Sequence, residues 1–86
     1  MVVRGPRYSM EEFARRGDEI YNRDIQPRLK PEDKGKFVDI DIETGQWEMD
    51  FDDYAVVGRL YERIPTAQPW LLRVGYRSTY ARGGMD

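Results

Sequence analysis

Apolar residues recur at two different spacings along this chain of 86 residues. In the first part, Met10, Phe13, Gly17, Ile20, Tyr21 and Ile25 follow one another at spacings built from three and four, while Glu11, Arg15, Arg16, Asp18, Glu19, Asn22 and Arg23 fill the opposite side. That period predicts an amphipathic helix. Ser9 and Glu12 stand in the S-x-x-E spacing of a capping box, so the helix is expected to begin near Met10 with the hydroxyl and the carboxylate each satisfying a backbone amide. Pro27 removes a helical donor and Pro31 follows, so regular structure should stop or kink near Gln26 and give way to a basic connector.

From Phe37 the period becomes two. Val38, Ile40 and Ile42 alternate with Asp39, Asp41 and Glu43, and after Thr44-Gly45 the residues Trp47, Met49 and Phe51 alternate with Glu48 and Asp50. Two strands joined as a hairpin are predicted, through a tight turn or a four-residue loop over 43–46. Pairing Ile42 with Trp47, Ile40 with Met49 and Val38 with Phe51 places every apolar side chain on one face. The carboxylates then face water, with Asp41 opposite Glu48 and Asp39 opposite Asp50.

Helical spacing returns with Val56, Val57, Leu60, Tyr61 and Ile64, behind an acidic start at Asp50, Asp52 and Asp53 and ahead of Pro65. Gly58 inside this run lowers helix propensity by about 1 kcal/mol relative to alanine, which marks it as a candidate close contact. The stretch from Trp70 to Tyr76 reads as a third strand, and its nearly continuous apolar character predicts cover on more than one side. The order α-β-β-α-β predicts an α+β fold: a three-stranded, mainly antiparallel sheet with the first strand central, a right-handed crossover, and both helices packed on the apolar face. One domain spans residues 1–86, with an ordered core from about 8 to 80 and frayed ends. Two open strand edges make a dimer formed by edge pairing one expected assembly.

Composition narrows the chemistry. At 40% hydrophobic and 13% aromatic the chain is too apolar for an acidic disordered tail, and with neither cysteine nor histidine it lacks thiolate nucleophiles, imidazole bases and the usual zinc ligands. Ser9 and Ser78 are the serines, no phosphate-cradling glycine motif occurs, and a catalytic role is not expected. No cofactor is implied. No apolar run reaches the roughly 18 residues of a membrane helix and no secretion signal is evident, so a cytoplasmic protein without a membrane partner is expected.

The net charge of −2 conceals a segregation, since seven acidic residues and no basic one lie between Phe37 and Tyr54 while residues 1–36 hold nine of the fourteen Lys and Arg. The acidic hairpin face formed by Asp39, Asp41, Glu43, Glu48 and Asp50 is therefore the candidate protein-binding surface, where charge would speed association with a basic partner. The D-x-D-x-E run at 39–43 is also a seed for a divalent cation, although a flat sheet face does not converge carboxylates as an ion requires. A second constellation, Arg73, Tyr76, Arg77, Tyr80 and Arg82, has the arginine–tyrosine interleaving of a single-stranded nucleic-acid contact. Against it stands a pI near 5.2.

Taken together, RYSMEEFARRGDEIYNRDIQPRL, KGKFVDIDIETGQWEMDFDD and WLLRVGYRS resemble a set of small uncharacterised bacterial proteins, mainly cyanobacterial, over nearly the whole chain from Tyr8 to Tyr80. KGKFV with the strand and helix after it more loosely resembles short antitoxin-like domains over residues 34–75. These resemblances imply a binding partner rather than an activity. The sequence thus predicts a small regulatory or protein-binding module whose partner is another protein, a second copy of itself included, with nucleic acid as the alternative.

Overall fold

The computed structural model describes residues 6–76, in which α1 (Met10–Ile20), β1 (Phe37–Asp41), β2 (Trp47–Asp50), α2 (Asp53–Arg63) and β3 (Pro69–Arg73) follow in the expected order. The sheet runs β2-β1-β3, antiparallel at both junctions, with β1 in the middle. This is the α+β architecture read from the sequence.

Ser9 opens α1 by accepting the Glu12 backbone N–H at 3.1 Å. The capping box is only half used. The Glu12 carboxylate turns away from the Ser9 amide and receives Arg15 at 2.5 Å and Arg16 at 2.7 Å, which hold its pKa down at about 2. After Ile20 the helix widens into a π-helical turn over Tyr21–Ile25 and tightens into a 3-10 turn at Gln26–Arg28, where Pro27 interrupts it. The widened turn carries Tyr21 and Ile25 into the same buried cluster as Ile20, Val38, Ile40, Leu72 and Val74, with Leu29, Trp47, Met49 and Trp70 packed around it. α1 lies close on this face. A Cβ added at Gly17 would come 2.1 Å from Cδ1 of Trp70.

The hairpin register differs from the expected one by two residues. Ile40 pairs with Trp47 and Val38 with Met49, while Asp39 opposes Glu48 and Phe37 opposes Asp50. An even shift keeps every side chain on its face, so Val38, Ile40, Trp47 and Met49 still point the same way. The turn accounts for the shift. Gly45 adopts a φ of +82°, its N–H bonds the Asp41 carbonyl at 2.8 Å, and the Asp41 N–H bonds the Gln46 carbonyl at 2.8 Å, so the loop spans 42–45. Phe51, expected opposite Val38, falls beyond the strand and is 59% exposed.

Expected on the same face, the two helices instead take opposite faces of the sheet. Val56 and Leu60 of α2 are fully buried yet stand outside the cluster built on Val38 and Ile40. Arg59 and Arg63 of α2 reach Glu48, which shares its face with its cross-strand partner Asp39. α2 therefore roofs the side of the hairpin that alternation had marked as wet. Both faces of β1 are covered, as the burial of Val38, Asp39, Ile40 and Asp41 alike records. β3, expected from Trp70 to Tyr76 and covered on more than one side, is a shorter edge strand with Leu71 44% exposed.

Gly58 is not the close contact. Nothing lies within 4 Å of a Cβ built there, on the exposed side of α2. Gly58→Ala should therefore stabilise the protein by up to about 1 kcal/mol, raising the thermal midpoint by roughly 4–8 °C; a lowered midpoint would mean that this side of α2 is packed.

Candidate functional site

The five hairpin carboxylates do not form a common surface. Asp39 and Asp41 are each 1% exposed. Asp41 turns back on its own loop, where its carboxylate accepts the backbone N–H of Glu43 and Thr44 at 3.3 Å each, the Thr44 hydroxyl at 2.7 Å, and the Gln68 backbone N–H at 2.8 Å. It is a structural clamp joining the hairpin turn to the start of β3. Glu43 is held from the other side by the guanidinium of Arg7 and by the Tyr8 hydroxyl at 2.9 Å, and the Arg7 hydrogen bond lowers its pKa. Glu48 lies between Arg59 at 3.1 Å and Arg63 at 2.9 Å, and Asp50 meets Arg59 at 3.3 Å. The acidic docking face is thereby corrected. Two of its five members are inside the protein and the other three are paired with arginines from α2 or from the segment before α1.

The same placement dismantles the D-x-D-x-E seed. Asp39 points under α2, Asp41 into the loop and Glu43 toward Arg7, and among the described residues no group of three ligand-type side chains converges as an ion would need.

Asp39 is the anomaly of the molecule. Neither of its carboxylate oxygens meets a side-chain donor among the described residues, and burial, followed by the like charge of Asp41, pushes its pKa up to about 6 against a smaller lowering by the Ile40 backbone. Among the described residues no cation pairs with it: across the ladder stand Glu48, already engaged by two arginines, and Leu71.

The strand edges are unequal. On the β2 side the carbonyls of Trp47 and Met49 point outward and accept Arg63 and Arg59 at 3.3 and 3.4 Å, so α2 arginines cap that edge. On the β3 side no side chain caps the edge among the described residues, and of its outward carbonyls that of Arg73 accepts the Tyr76 N–H at 3.0 Å. The Ile42-to-Gln68 and Val74-to-Lys36 bonds fix Trp70 and Leu72 as the residues bonded to β1, so the N–H and C=O of Leu71 point away from the sheet. The exposed Leu71 side chain stands on this uncapped edge.

Compared with protein-family models, curated proteins and solved structures, the chain matches none.

Of the arginine–tyrosine set, Arg73 and Tyr76 are brought together, whereas Arg77, Tyr80 and Arg82 lie outside the described residues. The Arg73 guanidinium lies 4.5 Å from the Tyr76 ring centroid and 5.0 Å from that of Phe37, and its Nε donates to the Gly35 carbonyl at 3.2 Å. Phe37 and Phe51 were missed from the sequence as members of this end of the sheet, since both were assigned to strand alternation. A cleft of about 310 Å³ also opens between α1 and the hairpin turn, floored by Ile20 and Ile42 and rimmed by Arg15, Arg16, Arg23, Glu19 and Glu43. Its rim carries both signs of charge, and its arginines are engaged with Glu12, Glu19 and Asp24. Among the described residues, no helix is long and apolar enough to cross a membrane.

Proposed function

We propose that the protein is a non-catalytic binding module that recruits a protein partner by adding an extended segment of it to the outer edge of β3. The observation that carries this reading is the asymmetry of the sheet. One edge has its outward carbonyls occupied by Arg59 and Arg63, while the other presents the Leu71 amide and carbonyl beside an exposed Leu71 side chain. Natural sheets cap or charge edges that are not meant to pair, and an uncapped edge is a template for a further strand. Pro69 limits the register by lacking a donor at one end, which leaves Leu71 and Arg73 as the outward amides.

The burial of the acidic face supports the edge over the hairpin as the recognition element. Affinity capture from the native host with three baits tests the reading. Leu71→Pro removes an outward N–H that β1 does not use, so the fold should survive and the partner should be lost; Leu71→Ala keeps the N–H and should retain it. Equal capture by the proline variant and the wild type would contradict the reading.

A further inference from the structure

The end of the sheet remote from the hairpin turn gathers cations and rings contributed by three separate parts of the chain. Lys34 and Lys36 come from the approach to β1, Phe37 from its first residue, Phe51 from just beyond β2, and Arg73 with Tyr76 from the end of β3. They are contiguous. The Lys34 side chain lies against Gly75, Gly35 lies against Phe51, the Lys36 ammonium sits 5.5 Å above the Phe51 ring, and Arg73 lies between Phe37 and Tyr76.

Most arginines elsewhere on the described surface are paired with an acid. Arg7, Arg15, Arg16, Arg23, Arg59 and Arg63 each meet a carboxylate. Arg73 and Lys34, by contrast, meet none among the described residues, and the only acid held by Lys36 is the buried Asp33 at 2.8 Å. Nearby acids are occupied: Asp50 receives Arg59, and Asp52 caps α2 by accepting the Tyr54 and Ala55 amides. Phe51 and Tyr76 remain 59% and 48% exposed although each already has a cation at its face. An exposed ring beside an unneutralised guanidinium offers a stacking face and a phosphate donor within one nucleotide's reach.

We propose that this end of the sheet, centred on Arg73 with Phe51, Tyr76, Lys34 and Lys36 around it, is a contact surface for single-stranded nucleic acid. Phe51 and Tyr76 stack on bases, which every base permits, and Arg73 with the two lysines takes the phosphates. The surface is small, reads no sequence and binds weakly on its own. Arg73 also presents an outward amide on the β3 edge, but this proposal uses its guanidinium, so Leu71→Pro, which should lose the protein partner and keep oligonucleotide binding, separates it from the strand-addition reading.

Fluorescence anisotropy with labelled oligouridylate, oligothymidylate and a duplex of the same length tests it on the full chain. Both single strands should bind at about 50 mM salt, better than the duplex, with a log–log salt slope of roughly −2 for three phosphates. Phe51→Ala, at an exposed position that leaves the core intact, and Arg73→Gln should each weaken binding by about fivefold or more, whereas Arg15→Gln on the far helix should not. A preference for one of the two strands would identify the sugar or the thymine methyl group as part of the contact and support the surface. Absence of single-strand binding at low salt, a duplex bound as well as the single strands, or binding indifferent to both Phe51→Ala and Arg73→Gln would overturn the proposal.

Discussion

Asp39→Asn is expected to stabilise the protein at about pH 8 and to leave it nearly unchanged at about pH 4. The Asp39 carboxyl is 1% exposed, meets no side-chain donor among the described residues, and is pushed by burial up to about 6 from the ordinary aspartate value of 3.8. A carboxyl whose pKa is higher in the folded state favours folding while protonated. Its contribution is therefore complete below the unfolded value and is lost as pH rises through about 6. Two pKa units correspond to about 3 kcal/mol, from which the residual strain of a buried amide must be subtracted in the variant. Glu12, Glu43 and Asp50 work in the opposite direction, because arginine or backbone hydrogen bonds lower their pKa and their stabilisation disappears as pH falls. Hence the difference between wild type and Asp39→Asn, followed by urea unfolding at several pH values, isolates the buried carboxyl. A difference that does not vary between pH 4 and 8 would show Asp39 to be solvated.

Gly17→Ala is expected to destabilise the protein by about 1–3 kcal/mol even though alanine raises helix propensity by about 1 kcal/mol. The added methyl would lie 2.1 Å from Cδ1 and 2.6 Å from Cγ of Trp70. That ring cannot step aside cheaply, since it is stacked on Phe13 with centroids 6.5 Å apart and packs against the main cluster. Either α1 moves off the sheet or the indole leaves its place. Thermal unfolding should give a midpoint lowered by several degrees, and Trp70→Leu in the Gly17→Ala background should lose less than the sum of the two single changes. Strict additivity would indicate that the helix and the indole do not touch.

These two residues also mark where the sequence was legible and where it was not. Element order, strand pairing and the shared face of Val38, Ile40, Trp47 and Met49 follow from periodicity, because a period of two or of three to four is a local property of the chain. Helix placement is not local. The alternation of Asp39 and Asp41 with Ile40 and Ile42 reads as a wet face only if nothing covers it, and the signal that something does lay in α2, where Arg59 and Arg63 are spaced by four and aimed at Glu48. Asp41 could have been recognised as a turn residue, since an aspartate three positions before Thr44 and four before Gly45 commonly closes a loop through its side chain. The two-residue register shift follows from that same loop. Gly17 was read as one step of an apolar stripe, whereas its role is to admit Trp70 from β3, a contact between residues 53 apart in sequence. Leu71 became a candidate only once the opposite edge proved to be capped by α2.

The central claim is that the polar face of the hairpin is turned inward beneath α2, with arginines closing its rim. Its most direct test is a carbon-detected NMR titration of the Asp39 side-chain carboxyl in the intact protein. A midpoint near 6, well above that of the exposed carboxylates, is the expected result; a midpoint near the ordinary aspartate value of about 3.9 would place Asp39 in water and contradict the two-sided arrangement of helices.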